Sequence, residues 1–455
     1  MKLRTVMSAG VAAAVAISIS IVSVPLAHAD LVTPGSYNTV DATRILDTRS
    51  GLGAPKVPLA KLATLTFKVT TGSDVPVSAV VLNVTAVNPT MSGFLTVYAG
   101  GATRPLASNL NFQAKQNVPN LVITPVSSTG TVSIYNGSGG TVDVLADIHG
   151  YYLGGASTGV EGTFVSLPSK RFLDSRIGVG AAKKKAGPQS VTKFKVAGLN
   201  GVPTTASAVV VNVTAVHGSG SGFVTAYPGS PVPLASTLNY LPNQDRANLA
   251  LMEIGTDGTI SLFNGSNTPV DLLADVTGYF VGGTPATDGT FIPSTPFRVF
   301  DSRGTGGRPA GALTISKIPI FPANDPTFSV FKAVVVNVTA VQPQASGFLT
   351  TWEGNTQLPS VSSSNFQPKQ DVAGSIILPV NTDGTISIYN GSYGNVDYVV
   401  DVTGFFFTLP TANVVAGRSA AKMAAPAARI AAALNKLQQI SMHPAAKAVS
   451  VSTTR

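Results

Sequence analysis

The sequence predicts an all-β protein: three tandem antiparallel β-sandwich domains, Greek-key or jelly-roll-like, followed by a short basic C-terminal helix or disordered tail. Three observations predict it. Arg44-Ile-Leu-Asp-Thr-Arg49 returns as Arg171-Phe-Leu-Asp-Ser-Arg176 and as Arg298-Val-Phe-Asp-Ser-Arg303, each step being 127 residues, so one folding unit is copied in series. Within each copy, short runs rich in Val, Thr, Ile and Tyr are divided by Gly, Pro, Asn and Ser, which is the pattern of strands and turns. No amphipathic helical pattern occurs before residue 410.

Taken in order, residues 1–29 read as a secretory signal. Lys2 and Arg4 supply the charged start, an apolar run from Val11 to Leu26 follows, and Ala27-His28-Ala29 fits the small-x-small cleavage rule. The mature chain is then expected to begin at Asp30 and to be secreted, extracellular or cell-wall associated, with no transmembrane segment after cleavage. The repeats span 30–155, 156–284 and 285–409, with Gly-rich joints at Gly154-Gly155 and Gly282-Gly283. Such short joints predict a semi-rigid row of domains. In the first repeat, strands are expected at Val80–Val87, Gly93–Tyr98, Leu110–Phe112, Asn120–Thr124, Thr131–Tyr135 and Val142–Tyr152. Asn136-Gly137, Asn264-Gly265 and Asn390-Gly391 are expected to be αL hairpin pairs. Residues 410–455 change to Ala, Lys, Arg and Ser. Ile430, Leu434, Leu437 and Ser441 share one helical stripe after Pro426, and 443–455 are expected to be disordered.

Charge and cysteine usage narrow the function. The net charge of +9 lies at the ends: two cations in the signal, six in the tail, and 22 cations against 21 acids between them. A nearly neutral body gives no footprint for nucleic acid. The tail is the part suited to polyanions, though three strong apolar residues give it little grip on a bilayer. With no cysteine, neither disulfides nor thiolate chemistry contribute.

Candidate chemistry is sparse. In each Arg-x-x-Asp-x-Arg signature, Arg44, Asp47 and Arg49, then Arg171, Asp174 and Arg176, then Arg298, Asp301 and Arg303, the residue types suit structural ion pairs better than catalysis, because tandem copies keep what each fold needs. Asp143 and Asp147, with Asp271 and Asp275 and Asp397 and Asp401, are four apart on the last strand of each repeat. They share a face at about 13 Å separation, wider than the roughly 5–9.5 Å of glycosidase acid pairs. They are expected to meet the signature arginines or to cap loop amides.

His149, His217 and His443 occupy non-equivalent places, so no repeated triad or zinc site is available. Neither a catalytic residue, a metal nor a cofactor is expected. Asn83, Asn212 and Asn337 match a glycosylation acceptor but sit mid-strand, which suits a core-edge asparagine. Asn111, Asn239 and Asn365 with Gln116, Gln244 and Gln370 are amide donors if exposed and loop hydrogen bonders if not. Tyr98, Tyr227 and Trp352, the only Trp, end equivalent strands beside glycine turns. A flat ring there is a candidate ligand-binding position for stacking on a sugar or meeting another protein; otherwise it closes its own core. Gly374 stands where the other repeats have Asn120 and Asn248, so the third copy is expected to lack or alter the interaction those asparagines make.

The combined pattern, Arg-x-x-Asp-[Thr/Ser]-Arg, then Asn-Val-Thr-Ala at Asn83, Asn212 and Asn337, then Asp-x-x-Gly-[Tyr/Phe]-[Tyr/Phe] from Asp147, Asp275 and Asp401, resembles a β-repeat of secreted proteins from high-GC Gram-positive bacteria. There the repeat stands in series or follows a hydrolase as an accessory module. The resemblance covers nearly all of 30–409, implies an exported and modular protein, and brings no catalytic residues with it. Together these readings predict a non-enzymatic repeat protein that binds multivalently, with polysaccharide or cell-wall polymer as the partner. The alternatives are a glycan-active hydrolase using the strand acids and a scaffold that binds other surface proteins.

Overall fold

The computed structural model describes residues 36–408 apart from 74–75, 155–161, 283–287, 305–306 and 324, together with 432–433, 436 and 449–451. The expected signal, residues 1–29, lies outside them, as do Ile430, Leu434, Leu437, Ser441 and His443. Eight strands recur three times. The first repeat holds β1 (Tyr37–Asp47), β2 (Thr64–Lys68), β3 (Val77–Val87), β4 (Gly93–Ala99), β5 (Leu110–Phe112), β6 (Val118–Pro125), β7 (Thr131–Asn136) and β8 (Asp143–Leu153). The second holds β9 (Phe164–Asp174), β10 (Val191–Lys195), β11 (Ala206–Val216), β12 (Gly222–Tyr227), β13 (Leu238–Tyr240), β14 (Arg246–Glu253), β15 (Thr259–Asn264) and β16 (Asp271–Val281). The third holds β17 (Asp288–Asp301), β18 (Ile315–Pro319), β19 (Phe331–Val341), β20 (Gly347–Trp352), β21 (Ser364–Phe366), β22 (Val372–Pro379), β23 (Thr385–Asn390) and β24 (Asp397–Thr408).

Each repeat makes two antiparallel sheets, ordered β6-β3-β8-β1 and β5-β4-β7-β2 in the first and likewise in the others. The expected row of three β-sandwich domains is corrected here. The six sheets form a six-bladed β-propeller, and Val32–Arg455 is one compact unit. The innermost strands touch in a closed cycle, β6 to β5, β22, β21, β14, β13 and back to β6, so every repeat meets both others.

The physical reason is visible in burial. β3, β11 and β19 are buried almost end to end, which a sheet covered on only one face would not produce. One face of each inner sheet shares a core with its sister blade, as Val80, Leu82 and Val84 do with Phe67, Leu95 and Ile134. The other face joins a core common to all three repeats: Ala79, Val81, Ala208, Val210, Ala333 and Val335 with their neighbours. A register that alternates correctly therefore places apolar side chains on both sides of one strand.

Six rings close this shared core around the pseudo-threefold axis. Tyr152–Tyr37, Tyr37–Phe280, Phe280–Phe164, Phe164–Phe406, Phe406–Phe291 and Phe291–Tyr152 have centroids 5.4, 4.6, 5.6, 4.6, 5.0 and 4.4 Å apart, the spacing of tilted aromatic contacts. Two rings come from each repeat, one from its first strand and one from its last. The glycine of the Asp-x-x-Gly signature is required by this packing: a Cβ on Gly150, Gly278 or Gly404 would lie 2.3 Å from the ring of Tyr37, Phe164 or Phe291. A second closed cycle is polar. Gln116 Nε2 donates to Gln244 Oε1 (3.5 Å), Gln244 Nε2 to Gln370 Oε1 (3.2 Å) and Gln370 Nε2 to Gln116 Oε1 (3.3 Å), all three residues being buried.

Two local expectations also change. Asn136-Gly137 and its counterparts are not αL hairpin pairs, since none of these residues has positive φ. A Cβ on Gly137 would lie 2.2 Å from the Phe94 ring, while buried Asn136 donates to Leu59 O, Ala60 O and Gly140 O and ties the loop together. Where disorder is expected over 443–455, Val449–Val451 instead forms β25 and pairs with β18, giving that blade a fifth strand. Ala433 packs into the third repeat's core and Lys436 pairs with Asp325.

Gly278→Ala is expected to destabilise the protein by about 1–3 kcal/mol through overpacking against Phe164, measured by chemical denaturation. An unchanged midpoint would mean that the ring does not lie on this glycine.

Candidate functional site: clefts between repeats

The Arg-x-x-Asp-x-Arg signatures fold into closed ion-pair networks. Arg44 Nε and Nη2 donate to Asp147 Oδ1 and Oδ2 at 2.8 and 3.1 Å, and Arg49 Nε and Nη2 grip Asp47 at 3.0 and 2.8 Å. Arg171 does the same with Asp275 and Arg176 with Asp174, as Arg298 does with Asp401 and Arg303 with Asp301. The Arg176 guanidinium holds Asp174 down to about 2, and Arg49 and Arg303 likewise depress Asp47 and Asp301. Burial pushes Asp275 and Asp401 up, against the pull of Arg171 and Arg298. The remaining strand acids accept from hydroxyls: Asp143 from Thr48, Asp271 from Ser175 and Asp397 from Ser302. The register sets these partners, with Arg44 opposite Asp147, Arg171 opposite Asp275 and Arg298 opposite Asp401.

Closing the ring creates three equivalent junctions, each between the inner blade of one repeat and the outer blade of the next. A mid-strand asparagine bridges every one. Asn83 Nδ2 donates to Ser236 O (2.5 Å), Asn212 Nδ2 to Ser362 O (2.7 Å) and Asn337 Nδ2 to Ser108 O (2.7 Å). At two junctions a second asparagine completes the bridge, Asn248 to Asn83 Oδ1 (3.0 Å) and Asn120 to Asn337 Oδ1 (3.1 Å). Gly374 occupies that place at the junction of the second and third repeats, so Asn212 lacks the corresponding partner.

The junctions hold the candidate aromatic positions. Tyr98, Tyr227 and Trp352 are each about 95% buried, and two of them line clefts. Between the second and third repeats, Trp352 faces a cleft of about 200 Å³ with Asn212, Asp275, Thr277, Thr351 and Ser375. Three oxygens of residues lining it, Ser169 Oγ, Thr277 Oγ1 and Thr351 Oγ1, are buried without a hydrogen-bond partner. Trp352 Nε1 donates to Thr356 O at 3.3 Å, which fixes the indole on the cleft wall.

Between the first and second repeats, Tyr227 lines a cleft of about 280 Å³ with Asp41, His149, Pro231, Met252 and Glu253. His149 Nε2 is buried and unpartnered there, and burial lowers the pKa of its ring. At the third junction, Arg298 Nη2 reaches across to Leu106 O at 3.4 Å. Sequence reasoning found the aromatics and Gly374 but not the clefts, because their two walls come from different repeats.

No family model matches this chain, and no curated protein matches it. Among solved structures it is similar to a chain of the atomic structure of Sulfolobus Turreted Icosahedral Virus, at 10% identity over 82% of this chain and 91% of that one. The TM-score of that match is 0.18. Among the described residues no helix is long and apolar enough to cross a membrane, and no group of three or more potential metal ligands occurs.

A Cβ on Gly374 would meet only Ser364 and Ser363, at 3.6 and 3.7 Å, so Gly374→Asn is expected to restore the missing bridge to Asn212. The gain should be about 1 kcal/mol for a buried hydrogen bond, read as a higher denaturation midpoint. A lower midpoint would contradict the equivalence of the three junctions.

Proposed function

We propose that the protein is a secreted, non-enzymatic binder of polysaccharide or cell-wall polymer, which holds its ligand in the clefts between repeats. The observation that carries this reading is the pairing of a ring with unsatisfied hydroxyls. Trp352 lines a cleft walled by Ser169, Thr277 and Thr351, whose buried oxygens have no partner, and an aromatic face beside unpaired hydroxyls suits a sugar's apolar face and hydroxyls. Buried polar groups left unpaired cost free energy, and a polyhydroxylated ligand relieves that cost. Clefts repeated about one axis let a repetitive polymer engage more than once, the later contacts being intramolecular. The sequence-level resemblance and the signal pattern of residues 1–29 support export.

The alternative of a hydrolase using the strand acids gains nothing from the geometry, because each of those acids is engaged by an arginine or a hydroxyl. A scaffold binding other surface proteins finds some support in Leu106 and Leu234, which stand at equivalent loop positions and are 90% and 97% exposed.

The single tryptophan makes the test direct. Titrating the intact protein with soluble fragments of cell-wall glycan is expected to shift Trp352 fluorescence saturably, and Thr277→Val is expected to weaken that response several-fold. Retention on insoluble glycan with no fluorescence change, and none from Thr277→Val, would remove this cleft from the account.

A further inference from the structure

The pseudo-threefold symmetry provides an internal comparison among the clefts. Asp41 lies in the irregularity of β1 between Thr39 and Thr43, three residues before Arg44; the same place before Arg171 and Arg298 is Pro168 and Thr295. His149 follows Asp147 by two residues, where Thr277 and Thr403 follow Asp275 and Asp401. Glu253 ends β14, where Pro125 and Pro379 end β6 and β22. Each of the three positions is uncharged in the other copies, and all three exceptions converge on the cleft between the first and second repeats.

No lysine or arginine lines that cleft, and among the described residues neither Asp41 nor Glu253 takes part in an ion pair. Charge alone would not define a site. The second observation is His149, 94% buried, lining the same cleft with Nε2 unpartnered. Burial lowers the pKa of this ring, which favours its neutral form, and a neutral ring nitrogen can accept a hydrogen bond. Two carboxylates and an acceptor nitrogen match the three donors of a primary ammonium group.

We propose that the cleft between the first and second repeats selects a saccharide carrying a free amine, with Asp41, Glu253 and His149 receiving the ammonium and Tyr227 lying alongside the ring. This rests on the saccharide-binding reading and adds a specificity that the Thr277 cleft, with its uncharged equivalents, does not share. An N-acetylated sugar presents one amide N–H and no charge, so it leaves the carboxylates uncompensated.

Calorimetric titration of the intact protein with a glucosamine oligosaccharide and with its N-acetylated counterpart tests the inference. The amine form is expected to bind at least tenfold more tightly. Asp41→Asn with Glu253→Gln is expected to remove that preference by weakening the amine form at least tenfold, with circular dichroism confirming the fold. Equal affinities in the unaltered protein, or a preference that survives the double variant, would overturn the amine selectivity and leave saccharide binding standing. Binding of neither sugar would overturn both readings. A lysine tripeptide bound as tightly as the amino sugar would overturn the saccharide assignment.

Discussion

Three sheets in this protein bury both of their faces, and the rest of the architecture follows from that constraint. A sheet with one apolar face is satisfied by a single partner, here the sister blade of the same repeat. The inner sheets carry a second apolar face, Val81, Val210 and Val335 with their neighbours, which no element of the same repeat covers. It is removed from water when the three repeats close about one axis. The six-ring cycle then fills the space where the sheets converge, and the glutamine cycle satisfies buried amides with one another. Neither cycle can form in a single repeat, so the repeats are parts of one fold.

Ring closure also explains where the polar clefts lie. Side chains that would face solvent in an isolated repeat are brought against the outer blade of a neighbour. Asparagines bridge the junctions, and loops such as the one carrying Ser236 and Thr237 supply carbonyls to them. Where the copies differ, the junctions differ. Gly374 removes a bridge beside the Trp352 cleft, while Asp41 and Glu253 charge the Tyr227 cleft and His149 adds an unpartnered ring nitrogen to it. A symmetric scaffold thus carries unlike sites.

Much of this was legible in the sequence, for identifiable reasons. The 127-residue period, the strand content and the importance of Arg-x-x-Asp-x-Arg follow from local chemistry repeated in register. The closed ring did not follow, because the chain pattern records that a strand is apolar and not which repeat covers its second face. The unbroken run through Val80, Val81 and Leu82 was the available signal, since a strand covered on one side alternates. Asn136-Gly137 misled for a related reason: the dipeptide favours a hairpin turn, but tertiary packing used the glycine to admit the Phe94 ring. For the site, Tyr98, Tyr227 and Trp352 stood out by alignment, whereas His149 was visible only as an isolated histidine. Its significance required Glu253, more than a hundred residues away, to be placed in the same cleft.

Small-angle X-ray scattering on the protein ending at residue 409 tests the closed ring most directly. A compact unit of this size should have a radius of gyration of about 21 Å, against about 32 Å for three separate domains of the same mass in a row. A value near the first supports closure through the shared core. A value near the second would contradict it, and with it the clefts on which the functional account stands.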